Sequence, residues 1–147
     1  MRLARYAFTA FAVIGAASLP LIADTQADHD GLIGTWNENG GAHGWVIENG
    51  ANGLHMTQLE ASTPIADFTC ATDGHDCAIK ISGKKAKVSL YYNGSALIQL
   101  ETRGDTITKR KFLVDGSGLK VEVTPMTGKV ATAEERQFDR GQATARK

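Results

Sequence analysis

Three prolines and two cysteines are all that 147 residues contain, and 16 basic against 16 acidic side chains leave no net charge. Each of these shortages excludes something. A neutral chain with a pI near 6.9 lacks the positive footprint of a nucleic-acid binder. Two cysteines with a single neighbouring histidine, His75, fall short of a zinc-finger ligand set. No nucleophile elbow occurs, and the glycine-rich stretch Asn39–Gly44 leads into no helix, so neither nucleophilic catalysis nor a phosphate cradle is indicated. Nothing in the chain reads as an enzyme, and nothing calls for a cofactor or a metal. Long apolar runs are missing too, apart from one at the N-terminus. With 42% hydrophobic and 22% charged residues, the composition fits one globular domain.

That single run defines the first segment. Arg2 and Arg5 precede the mostly apolar stretch Tyr6–Leu19, and small residues lead down to Ala27. A charged start, an apolar middle and a small-residue exit make a secretory signal peptide, residues 1–27, with cleavage expected after Ala27 or, alternatively, after Ala23. The apolar stretch is shorter than the ~20 residues that span a bilayer, so a secreted or periplasmic product with no transmembrane segment is expected. Removing residues 1–27 takes two arginines and one aspartate, which leaves a mature net charge of −1.

In an oxidising compartment Cys70 and Cys77 read as one disulfide. Asp73-Gly74 between them is a turn dipeptide, so the bridge is expected to clamp the base of a hairpin.

The mature part, residues 28–140, reads as one all-β domain, with 141–147 as a flexible tail. Strand candidates are Leu32–Trp36, Trp45–Ile47, Leu54–Leu59, Ile65–Cys70, Cys77–Ile81, Lys87–Tyr92, Ala96–Thr102, Ile107–Val114 and Leu119–Thr124. Lys129–Ala133 with Arg136–Phe138 supplies the last strand or two. Asn93-Gly94 is the strongest hairpin signal, and Leu119–Thr124 alternates strictly between apolar and polar. No helical stripe interrupts the series. Nine or ten short strands on hairpin-length turns describe an antiparallel up-and-down meander, which closes into a small barrel rather than expose two edges. The 15 glycines outside residues 1–27 then mark its turns.

Gly34-Thr35-Trp36 on the first of these strands, followed by such a meander, resembles the lipocalin and calycin superfamily. The segment Thr106–Arg140 is similar to the C-terminal part of small secreted bacterial lipocalin-like proteins. The resemblance implies an up-and-down barrel in which Gly34 and Trp36 sit at the closed end under an arginine of the last strand, Arg140 or alternatively Arg136. It also implies a small apolar or amphipathic ligand held at the open mouth. The chain departs from the classical pattern in being shorter, in having no Thr-Asp-Tyr turn, and in showing no C-terminal helix.

Other features carry less. His29 lies between Asp28 and Asp30 and reads as a solvated terminus, while His55 reads as a strand-surface residue. Glu48, Glu60, Glu101 and Glu122 fall on different strands. Lys84, Lys85 and Lys87 with Lys109-Arg110-Lys111 make a basic region, and alternation puts Arg110 on the face opposite Lys109 and Lys111. The reading favoured by the sequence is an exported binder of a small hydrophobic molecule. The alternative is a module for an envelope protein partner, such as an inhibitor or assembly factor, using the Cys70–Cys77 hairpin and the Gly40–Gly53 loops as its contact surface.

Overall fold

A computed structural model describes residues 22–128 and 132–141. One helix, α1 (Ile22–Gly31), is followed by ten strands: β1 (Gly34–Glu38), β2 (His43–Gly50), β3 (Gly53–Glu60), β4 (Thr63–Cys70), β5 (Asp73–Ile81), β6 (Lys84–Asn93), β7 (Ala96–Arg103), β8 (Thr106–Asp115), β9 (Gly118–Pro125) and β10 (Glu134–Arg140). They form one antiparallel sheet in the order β4-β3-β2-β1-β10-β9-β8-β7-β6-β5. Every neighbour is a chain neighbour except β1 and β10, whose pairing of Trp36 with Arg140 and Glu38 with Phe138 curls the meander into a barrel. Closure is incomplete, because β4 and β5 end the sheet and share no ladder.

Period-two alternation decides which side chains fill the barrel. Leu119 and Val121 on β9 face inward, as do Phe112 on β8, Phe138 on β10 and Trp36 on β1, all nearly or fully buried. Trp45 packs edge-on against Phe112 with ring centroids 5.1 Å apart, so the middle of the barrel is filled by its own aromatics.

Ahead of the strands the chain contains a helix, α1, which carries no apolar stripe to reveal it and runs across both candidate cleavage points, Ala23 and Ala27. His43, within the glycine-rich stretch Asn39–Gly44, opens β2, which pairs in full register with β3. The Cys70–Cys77 bridge is present but clamps no hairpin. β5 begins already at Asp73 and pairs with β6, so the disulfide joins the two ends of the sheet across the open seam. By loop closure a ring this small stabilises the fold by about 2.5 kcal/mol. Most of the expected signal peptide, residues 1–21, the Lys129–Ala131 portion of the expected last strand and residues 142–147 of the expected tail lie outside the described residues.

Candidate functional site

The closed end of the barrel is built around Gly34, Trp36 and Arg140. Trp36 is fully buried and its indole N–H donates to the Leu32 carbonyl at 2.9 Å. The Arg140 guanidinium lies over the indole, 4.4 Å from the ring centroid. Its two terminal nitrogens donate to the Ile33 and Gly31 carbonyls at 3.0 and 2.8 Å, so one side chain covers the tryptophan and caps the last turn of α1. Glycine at position 34 follows from this contact. The residue has φ near +151°, and a Cβ there would run into the Arg140 guanidinium. Arg136, the other arginine considered for this place, points into the barrel instead.

His29 belongs to the same end. Its ring stacks on Tyr92 with centroids 3.7 Å apart, and Nε2 donates to the Gly94 carbonyl at 2.8 Å. The expectation of a solvated terminus therefore fails, because the β6–β7 turn offers this imidazole a flat partner and an acceptor together. Burial, reinforced by the carboxylate of Asp30, raises the Tyr92 hydroxyl above its ordinary pKa.

Toward the open end the interior becomes polar. Glu101 on β7, 3% exposed, takes Arg110 Nη1 on one carboxylate oxygen at 2.8 Å and Arg103 Nε on the other at 2.7 Å. Arg110 also reaches Gln99 Oε1 at 3.4 Å. Burial lowers the pKa of the Arg110 guanidinium and Glu101 opposes that shift; the group stays charged. Arg136 on β10 stands 3.8 Å from Glu38 and 3.1 Å from Glu134, and its Nε is buried without a partner. Each inward guanidinium thus already faces a carboxylate.

A cleft lies in the wall of the barrel. Along the β4–β5 seam the two sheet ends are held at one point by the Cys70–Cys77 bridge and at another by a backbone hydrogen bond from Ser82 N–H to the Ile65 carbonyl, 2.8 Å. Beside this seam lies a cleft of about 900 Å³. Phe68, Ile79 and Ala86 bound it with side chains of the barrel interior, and Asp67, Lys80 and Lys85 bound it from outside. The cleft lies at the seam, since unpaired edges leave room that paired strands do not, whereas the sequence led to an expected site at the open mouth. Ala61, Ser62 and Ser82, the non-glycine residues with left-handed backbone among those described, form the β3–β4 and β5–β6 turns at one end of the seam.

On the outer face next to the seam, His55 of β3 bridges its neighbours. Nδ1 is 3.0 Å from Glu48 of β2, and Nε2 contacts Asp67 of β4, which also accepts from the Thr57 hydroxyl at 3.2 Å. The hydrogen bond to Glu48 raises the imidazole pKa above 6.5, burial opposes it, and Asp67 adds to the rise. A raised folded pKa contributes stability that is complete below pH 6.5 and is lost as pH climbs through the folded value. Urea midpoints are therefore expected to fall between mildly acidic and mildly alkaline pH. His55→Gln is expected to flatten that slope, and an unchanged slope would show that the bridge does not couple to folding.

The contact surface of the alternative reading does not form as one patch. The β1–β2 turn at Asn39–Ala42 and the β2–β3 turn at Ala51–Asn52 lie at opposite ends of β2, whose eight residues span roughly 26 Å. Only the second turn approaches Cys70, where a Cβ on Gly53 would strike the Cys70 carbonyl. Of the four glutamates on separate strands, Glu101 serves the interior arginines and Glu48 serves His55.

No family model matches the sequence, and no curated protein matches it. Solved structures do. An abundant heat soluble (SAHS) protein from Ramazzottius varieornatus superimposes with a TM-score of 0.63 at 13% identity, over 76% of this chain and 96% of that one. Fatty-acid-binding protein 1 of Echinococcus granulosus gives a TM-score of 0.57 at 12% identity, over 76% and 98% of the respective chains. The Schistosoma mansoni fatty acid binding protein, solved in complex with arachidonic acid, gives 0.57 at 19% identity over 76% and 97%. The chain thus has the ten-stranded, nearly closed barrel of the fatty-acid-binding proteins, a calycin-like fold, and at these identities the likeness is one of fold.

Proposed function

We propose that this protein is an exported carrier that binds a small apolar or amphipathic molecule in the cleft at the β4–β5 seam. The observation that carries the reading is the cleft itself, about 900 Å³ with Phe68, Ile79 and Ala86 on its inner side, within the size range of small-molecule sites. The fold supports it, since structures of this shape include proteins named for binding fatty acids. Export rests on the charged and apolar pattern of residues 1–27, and a disulfide on the mature chain is in keeping with an oxidising compartment.

Displacement of the neutral fluorophore 1-aminoanthracene by dodecan-1-ol tests the reading. Ala78 lines the cleft and is exposed, so Ala78→Trp adds bulk there at a strand position that tolerates an aromatic residue. Dodecanol is expected to bind the unaltered protein in the micromolar range and the variant at least about tenfold more weakly. No binding, or equal binding to both, would defeat the proposal.

A further inference from the structure

The cleft has a charge arrangement that the apolar reading leaves unused. Lys80 and Lys85 sit directly opposite each other on β5 and β6, and Lys87 follows two residues on along the same outward face. All three line the cleft. Like charges set opposite each other on adjacent strands disfavour folding, so the arrangement gains the barrel nothing. Among the described residues no carboxylate pairs with any of the three. The acidic residue of the lining, Asp67, is already engaged by His55 and Thr57.

The inner side offers the reverse. Glu101 occupies Arg103 and Arg110, and Glu38 with Glu134 faces Arg136, so a buried anion would have to displace a carboxylate that cannot leave. Uncompensated positive charge stands at the outer lip, and apolar surface lies inside it.

From this we infer that the cleft takes an anionic amphiphile head-out, its chain passing Phe68 and Ile79 and a phosphate-type head group resting on Lys80, Lys85 and Lys87. This deepens the proposed function and rests on it. Phosphate suits the site better than a carboxylate because it presents up to two charges and several acceptor oxygens to three donors.

Dodecyl phosphate and dodecan-1-ol share a chain and differ in the head, so their affinities, measured below micellar concentrations, isolate the lip. Dodecyl phosphate is expected to bind about tenfold more tightly at low salt, with the advantage shrinking as salt rises. The combined change Lys80→Gln, Lys85→Gln, Lys87→Gln, all at exposed positions, is expected to remove that advantage, so that the two amphiphiles bind the variant about equally. Arg136→Gln, the head-in control, is expected to leave the advantage in place. Inorganic phosphate alone is expected not to compete. Equal binding of the two amphiphiles, or loss of the advantage in Arg136→Gln and not in the lysine variant, overturns the inference while the carrier reading stands. Competition by inorganic phosphate at matching concentration also overturns it, since the site would then need no chain. If neither amphiphile binds, both readings fall; sedimentation with phosphatidylglycerol vesicles in that case would make the lysines a membrane-docking patch instead.

Discussion

Replacing Trp36 by alanine is expected to cost about 3 to 5 kcal/mol, the usual penalty for emptying a large aromatic site in a packed core. The indole is fully buried, so its loss leaves a void at the closed end. Three further losses accompany it. The Leu32 carbonyl loses its donor, Arg140 loses the surface it covers, and the last turn of α1 loses the side chain that holds its cap in place. Against a total of about 5 to 15 kcal/mol for a domain of ordinary stability, the variant should melt roughly 15 °C lower. Thermal unfolding followed by circular dichroism measures this. A drop of only a few degrees would mean that the closed end repacks freely and that Trp36 with Arg140 is a local ornament of the fold.

The second large effect concerns Glu101. Glu101→Leu leaves the Arg110 guanidinium without its carboxylate in a nearly closed interior, and breaking one partner of such a pair costs about 3 to 5 kcal/mol. Gln99 remains as a neutral acceptor but cannot balance the charge. Arg103, being half exposed, turns to water at little cost. Adding Arg110→Met removes the stranded cation, so the double variant should recover most of the loss. A coupling energy of about 2 kcal/mol or more is expected from the urea denaturation cycle. Additive effects of the two changes would show that water reaches Arg110 and that the barrel is wetter at this level than its burial implies.

Much of this architecture was legible from local chemistry. The β6–β7 hairpin turns at Asn93-Gly94, where Asn93 ends the ladder and Gly94 supplies the positive φ, near +60°, that the tight turn requires. The alternation of Leu119–Thr124 names its own buried face, and Leu119 and Val121 are the residues the structure buries. β7 is different. Ala96, Leu97 and Ile98 are all buried and Gln99 and Glu101 share the inward face with Leu97, so no pattern along this strand shows that a carboxylate lies inside. The signal available was Arg110, set apart from Lys109 and Lys111 by alternation; only barrel closure shows that its face is the interior. The seam was illegible for a related reason. Only six residues lie between Cys70 and Cys77, which suggests a hairpin, but whether β5 pairs backward with β4 or forward with β6 depends on partners far along the chain.

The two attachments across the seam are unequal, and that inequality has a dynamic consequence. A disulfide does not open under thermal agitation, whereas a single backbone hydrogen bond such as Ser82 to Ile65 is worth on the order of 1 kcal/mol net. The wall is therefore expected to act like a door, with Cys70–Cys77 as the hinge and Ser82 as the catch that opens first. Amide exchange at Ser82 should run well ahead of exchange at Val88 in the middle of the β6 ladder, and comparable protection at the two would mean that the door stays shut.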